Sequence, residues 1–353
     1  MKVLHIVPHH FGAEGYADHG STKDIMGRRE HMAERGIPNT LVRFNRKVGD
    51  IGETLAEHAS MEFTHVIVDA SVDEPVWRHL RRTWPDARLA LRSHNSEIPH
   101  RRDAVRALRG WPHSKKLQRA LRNNIGVFGR RDIAAARFAD RILTIEPGQA
   151  VERYWRRLGF GGEVSYSPYF IASAYSRTFE ASPGEDARLA DRLLCVLSAH
   201  PGPLTDDNLV RFMQLQHTAV AIGEAWTFEA IGEVSRDIAE HASFSPDVHR
   251  LGVVDDLPGQ LRRSAAVAVL SDLGRGFKTK ILESIVCGAW VLVTPRLRAR
   301  LPEQVQPFCV PVDANDSGSV RRALETLRSK PSPVDPNPSL KATAYAALDR
   351  FFR

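Results

Sequence analysis

Cysteine is nearly absent: Cys195, Cys287 and Cys309 are the only three in 353 residues. An odd, unpaired set excludes a disulfide framework and points to a reducing compartment, each thiol reading as a small core residue rather than a nucleophile. Long apolar runs are missing too. The longest, Ile285 to Val293, falls far short of the roughly 20 residues that cross a bilayer, so no membrane span is expected. Repeats and low-complexity tracts are absent apart from a proline-rich loop, Lys330 to Pro338. Neither sign of charge dominates, since 49 Lys+Arg stand against 42 Asp+Glu for a net +7. So mild a basicity suits an enzyme of phosphorylated substrates, a protein on an anionic membrane or a nucleic-acid binder, and does not choose among them. The N-terminus, Met1 to Pro8, enters a strand at once and lacks a secretory apolar region, so a cytoplasmic location is expected.

What is present is ordinary globular material, 42% hydrophobic and 26% charged, in a chain long enough for two domains. Short apolar runs alternate with helix-period segments. Strands are expected at Lys2–Val7, Thr40–Phe44, His65–Asp69, Arg88–Arg92 and Arg141–Ile145, with helices at Ser21–Arg35, Glu74–Trp84, Arg101–Arg122 and Arg131–Ala139. A second set of strands is expected at Leu193–Ser198, Ala219–Gly223, His249–Val253, Ala266–Ser271 and Trp290–Thr294. This rhythm means βαβ units and parallel sheets covered on both faces. The expected fold is α/β, with two Rossmann-like doubly wound domains facing across a cleft. The break falls near Tyr166-Ser167-Pro168-Tyr169, with a polar, turn-rich stretch at Glu180–Asp186, which divides the chain into 1–167, 168–335 and a last helix in 336–353. Ligands of such sheets lie outside the carboxyl ends of the strands, so the loops there are where chemistry is sought.

One segment, Gly274 to Thr294, is the most informative. Gly274 and Gly276 let the backbone approach a ligand closely, and a helix beginning near Thr279 offers free N–H groups and a positive dipole end to phosphate. Lys278 and Lys280 add positive charge, and Glu283 lies in the first helical turns.

The run Gly274-x-Gly276, Lys280-Ile281-Leu282-Glu283-Ser284, Gly288-Ala289-Trp290-Val291 and Thr294 resembles the donor-binding signature of GT-B glycosyltransferases of the family 4 type. Further likenesses span much of the chain: Ala139 to Ile145, Ser167-Pro168-Tyr169, Arg192 to Pro201, His249 to Leu257 and the terminal helix Leu340–Phe352. The resemblance implies transfer of a sugar from a nucleotide-diphosphate sugar to a hydroxyl acceptor (a glycan, glycolipid or natural product) with retention of configuration. It implies that Glu283 holds the ribose hydroxyls, because two acceptor oxygens match a diol. Backbone groups around Gly276, Phe277, Lys278 and Thr279 would face sugar and diphosphate, Lys278 or Lys280 would offset the diphosphate charge, and Val253 and Val254 would touch the base. Two departures stand out. Arg275 occupies the position of a frequent first glutamate, so a donor replaces an acceptor of sugar hydroxyls. The loop Ser198 to Leu204 lacks the Arg and Lys pair that many relatives place on the diphosphate, leaving Ser198 and His200 as substitutes.

In the first domain the acceptor is expected against the loop Pro8 to Ser21, with His10, Gly12, Glu14 and Tyr16 as contacts. His94, after the strand Arg88–Leu91, is the first choice for catalysis, as a donor to a sugar hydroxyl or phosphate or as a base, with Glu97 and Asp18 as secondary choices. No Asp-x-Asp occurs, which disfavours a GT-A enzyme holding its diphosphate through a divalent ion, and neither metal nor cofactor is expected. Residues 98–122 carry eight Lys and Arg around Trp111, either a solvated helix pair or a contact for anionic membrane. Two rivals remain: a nucleotide-sugar epimerase of the same fold, and a basic nucleic-acid-binding protein. No nucleic-acid recognition motif appears, so a nucleic-acid partner is not expected.

Overall fold

A computed structural model describes residues 1–9, 11, 20–44, 51–69, 71–108, 115–179, 189–197, 202–234, 245 and 247–353. The first sheet is built from β1 (Val3–Pro8), β2 (Asn39–Phe44), β3 (His65–Asp69), β4 (Arg88–Ser93), β5 (Arg141–Thr144) and β6 (Glu163–Tyr166), in the order β2-β1-β3-β4-β5-β6. The second holds β7 (Leu189–Val196), β8 (Thr227–Ile231), β9 (Val248–Gly252), β10 (Ser264–Val269), β11 (Trp290–Val293) and β12 (Cys309–Pro311), in the order β12-β11-β10-β7-β8-β9. Neighbouring strands run parallel in both. The expected pair of doubly wound sheets is therefore what the chain forms. Each order reverses once, between β1 and β3 in the first sheet and between β7 and β10 in the second, and such switch points open crevices at the strand ends.

The helices that matter for the cleft are α1 (Gly20–Glu34), α4 (Glu97–Ala107) and α5 (Lys115–Phe138) of the first domain, after which the chain folds α7 (Ser173–Phe179). The remaining first-domain helices are α2 (Ile51–Ala56), α3 (Glu74–Thr83) and α6 (Gln149–Arg157). In the second domain they are α8 (Pro203–Ala221), α9 (Leu257–Arg262), α10 (Thr279–Val286), α11 (Pro295–Arg298) and α12 (Ser317–Ser329), before the terminal α13 (Asn337–Phe352). Strands β1, β3, β4, β10 and β11 are buried along nearly their whole length, which explains why they read as unbroken apolar runs. Helix α13 joins both domains: Leu340 and Ala344 pack in the second core, while Leu348, Phe351 and Phe352 pack with Val3, Met32 and Ile67 in the first.

Three sequence expectations are corrected. Ala219–Gly223 is not a strand but the end of α8, whose apolar residues Leu209, Phe212, Met213 and Ala219 recur at helical spacing. The strand that follows is Thr227–Ile231. The helix expected at Arg101–Arg122 is two, α4 and α5, and α5 runs on without a break to Phe138, taking in most of the separate helix expected at Arg131–Ala139. Edge strands β6 and β12, four and three residues long, are too short to leave a period in the sequence. The turn-rich stretch Glu180–Asp186 lies outside the described residues.

Candidate functional site

The first-domain wall is built on charges that α1, β1, β3 and β4 bury together. Asp24 accepts from Arg92 Nε at 2.9 Å and Nη2 at 2.6 Å, from His94 Nε2 at 2.9 Å, and from Arg28. Arg28 also bonds Asp69, which pairs with His5. Arg92 donates onward to the Ser167 carbonyl at 2.7 Å. Burial alone would raise the Asp24 carboxyl, but Arg28, Arg92 and His94 outweigh it and hold it well below the usual carboxylate range. Asp24 therefore stays a carboxylate, the Nε2 of His94 carries the proton donated to it, and Nδ1 is the ring's acceptor. Asp24, Asp69 and His94 also bring ligand-type atoms within 4.8 Å of one another. Because Asp24 already bridges Arg28 and Arg92 and Asp69 is paired with Arg28 and His5, a cation would have to displace one of these groups to enter.

The opposite wall is the glycine loop and α10. Gly276 has φ 86°, and a Cβ there would lie 2.2 Å from the His94 carbonyl oxygen, so only glycine lets this loop close on the first domain. The loop is held from behind by Arg300, which donates to the Asp272 carbonyl at 2.8 Å and to the Gly274 carbonyl at 2.7 Å. It is held from the front by α4 and the loop after β5. The Arg275 amide donates to His100 Nδ1 at 2.9 Å, and the Gly276 amide to Glu146 Oε2 at 3.4 Å. Burial, reinforced by Arg101, pushes His100 down to about 3, so its ring is neutral and can accept. The Gly276 amide, expected to face a sugar, thus faces the first domain, as does the amide before it. The Arg275 guanidinium points the same way, 3.8 Å from both Asp103 and Glu146. Where a glutamate would read sugar hydroxyls, this chain has a cation engaged across the cleft.

Lys278 Nζ donates to the Leu273 carbonyl at 3.1 Å and Lys280 Nζ to the Val196 carbonyl at 2.6 Å, at the end of β7 and hence at the second switch point. Burial pushes both ammonium groups down, and the neighbouring Lys280 helps bring Lys278 to about 8. Glu283 is only 4% exposed, and its Oε1 accepts from Lys23 Nζ of α1 at 3.0 Å. Phe277 stacks on Tyr169 with ring centroids 5.9 Å apart.

Between the walls lies a cavity of about 370 Å³, lined by Gly20, Ser21, His94 and Asn95 on one side and by Leu204, Thr205, Asn208, Phe277, Lys278, Thr279 and Lys280 on the other. Of the catalytic candidates His94 lines it. Glu97 does not: its carboxylate bonds Arg101 Nε at 3.0 Å and its amide donates to Asp132. Val253 is exposed, and Val254 packs against the second-domain core. Asp18, His10, Gly12, Glu14, Tyr16, Ser198 and His200 lie outside the described residues. Lys23, Asp24, Arg92, Glu146, Thr205 and Asn208 were not singled out from sequence. Asn208 fixes the floor, accepting from the Leu270 and Ser271 amides at 2.6 and 3.1 Å. The one sequence signal for Lys23 and Asp24 was that Ser21–Arg35 reads as a helix without an apolar stripe, and the structure buries Thr22, Lys23, Asp24, Arg28 and His31 there.

Two doubly wound sheets whose switch points face one cavity, with a glycine loop and helix N-terminus on one side, define the GT-B class. The family model described as "Glycosyl transferases group 1" matches residues 202–329, the second domain from α8 to α12. The second domain thus matches a glycosyltransferase family model, and the chain as a whole has the GT-B fold. Among solved structures it resembles Anabaena HepE in complex with UDP, with TM-score 0.57 and 14% identity over 99% of this chain and 96% of that one. It also resembles sucrose-phosphate synthase from Thermosynechococcus elongatus, with TM-score 0.56 and 14% identity over 100% and 95% of the two chains. An alpha-glucosyltransferase in complex with UDP and a 13-mer DNA gives TM-score 0.56 and 14% identity over 99% and 95%. At such identity the likeness is one of fold. The sequence matches no curated protein. The epimerase reading finds no support in these matches. No helix among the described residues is long and apolar enough to cross a membrane.

Proposed function

We propose that this protein is a glycosyltransferase that takes its sugar from a uridine-diphosphate donor and moves it to a hydroxyl acceptor on a glycan, glycolipid or natural product. The observation that carries the reading is the cavity itself. The first turns of α8 and α10 converge on it with Lys278 and Lys280, opposite His94. Two helix N-termini and buried ammonium groups suit a diphosphate leaving group, whose developing charge they would stabilise without a metal ion. The uridine base is proposed because HepE and the alpha-glucosyltransferase above are bound to UDP. Retention of configuration is proposed from the family 4 resemblance of the donor segment.

The experiment is a calorimetric titration with UDP, GDP, ADP, TDP and CMP in the presence of a chelator. Binding of UDP in preference to the others, lost in Glu283→Ala, supports the reading. Silence across the panel from folded protein overturns it. A ligand at 100 times its dissociation constant adds about 2.7 kcal/mol, so a thermal shift reads the same answer. Peripheral membrane contact through 98–122 would rest on the exposed Arg102, Arg119 and Arg122, since Arg101 bonds Glu97 and Arg106 bonds Asp103. Equal binding to anionic and neutral vesicles would end that proposal.

A further inference from the structure

We propose that Asn95 accepts from a hydroxyl of the donor sugar, taking over the task of the glutamate that this chain lacks at position 275. The proposal rests on the uridine-diphosphate reading above and adds to it which side chain selects the sugar.

The loss is specific. The resemblance puts an acceptor of sugar hydroxyl protons at position 275, and this chain has Arg275 there, 3.8 Å from Asp103 and Glu146 of the first domain. A sugar hydroxyl shut into the cleft without an acceptor is costly, so another group has to meet it. Among the described residues that line the cavity there is no Asp or Glu. Two side-chain carbonyls remain, those of Asn208 and Asn95. Asn208 Oδ1 already accepts from the Leu270 and Ser271 amides. The hydroxyls of Ser21, Thr205 and Thr279 can turn either to donate or to accept, so they discriminate less.

Asn95 is held in one orientation. Its side-chain amide faces two carbonyl oxygens, and only the nitrogen can bond them. Nδ2 donates to the Arg275 carbonyl at 2.6 Å and to the His94 carbonyl at 3.0 Å. Both amide hydrogens are thereby spent, and Oδ1 is left without a hydrogen bond among the described residues. What Asn95 offers the cavity is an acceptor only.

Its place suits a sugar. A Cβ at Gly276 would lie 2.5 Å from the Asn95 side-chain amide, so the residue sits where the glycine loop meets the first domain. It lines the cavity across from Lys278 and the first turn of α10, against which the diphosphate is proposed to lie. With base and diphosphate on the second domain, the sugar is the part of the donor left to face the first. One of the two carbonyls that fix Asn95 belongs to the second domain. The acceptor is therefore set in place only when the glycine loop has closed, which ties sugar selection to closure.

The test separates the sugar from the rest of the donor. Calorimetric titrations use UDP alone and UDP-glucose, UDP-galactose, UDP-N-acetylglucosamine and UDP-xylose. They are run on the wild type, Asn95→Ala and Asn95→Asp, with circular dichroism to confirm folding. For the UDP-sugar that the wild type binds most tightly, Asn95→Ala is expected to lose about tenfold or more beyond any loss for UDP, and to narrow the preference among the four sugars. Asn95→Asp loses the same bonds to the two carbonyls but keeps an acceptor oxygen, so it is expected to weaken UDP and UDP-sugar alike. Equal weakening of both ligands in Asn95→Ala would show that Asn95 only fastens the glycine loop, and would overturn the proposal. Unchanged binding of both would overturn it as well. Wild-type protein that binds no UDP would overturn the donor reading together with this one, whereas a failure confined to the variants leaves the donor reading standing.

Discussion

His94 Nε2 lies 2.9 Å from Asp24 Oδ2, and that bond decides which ring nitrogen works in the cleft. With its Nε2 engaged by a permanent carboxylate, His94 has only Nδ1 left to meet a ligand in the cleft. Nitrogen-15 NMR of labelled protein should report the Nε2–H tautomer for this residue; an Nδ1–H tautomer would contradict it. His94→Ala should lower the rate of hydrolysis of the UDP-sugar donor by about 10²-fold or more with UDP affinity little changed.

Lys278 titrates at about 8 because it is buried beside Lys280. A diphosphate bound nearby favours the charged form, so UDP binding near pH 8 should be accompanied by proton uptake. The sign follows from linkage: affinity holds below pH 8 and falls as pH rises through it, toward about tenfold per pH unit. Calorimetry in buffers of different ionisation enthalpy measures the uptake, and zero uptake at pH 8 would remove Lys278 from the diphosphate site.

Asp132 behaves in the opposite sense to Asp24. It is buried and accepts from Ser71 Oγ at 2.6 Å, from the Tyr154 hydroxyl and from the Glu97 amide at 3.1 Å, with no cation bonded to it among the described residues, and burial pushes it up to about 7. The folded protein keeps this proton up to about 7, whereas the unfolded chain gives it up near the ordinary value of 3.8. Its stabilising contribution is thus complete below that ordinary value and is lost as pH rises through about 7. Melting temperatures of the wild type relative to Asp132→Asn should fall between pH 5 and 8. A difference that is flat across that range would refute the assignment.

Gly276 is the point where the two walls touch most closely. Gly276→Ala combines a positive φ with a Cβ at 2.2 Å from backbone, so the loop must draw back from His94. Small-angle scattering should show a larger radius of gyration and UDP titration a weaker affinity, with secondary structure by circular dichroism unchanged. An unaltered scattering curve would mean that the loop can close without glycine.

Much of the fold was legible because its signals are local. The apolar runs of β1, β3, β4, β10 and β11 are contiguous in sequence since each strand is covered on both faces, and the glycine loop with α10 forms one uninterrupted stretch, so Lys278, Lys280 and Glu283 could be named from it. The misread places are those where local signals conflict or vanish. The apolar Ala219-Val220-Ala221-Ile222 reads as a strand, yet Val220 is exposed at the end of a helix whose buried face was set by residues upstream. β12 has only three residues from which to read a period.

The sequence by itself determined two parallel sheets, a glycine loop before a helix and the departures at Arg275 and the 198–204 loop. Only the tertiary structure decided what those departures meet: Arg275 against Asp103 and Glu146, and Lys23 against Glu283, 260 residues away. The reason is that periodicity records which face of an element is buried but not what covers it. A charged residue on an inward face has its role set by the partner that the other domain brings to it.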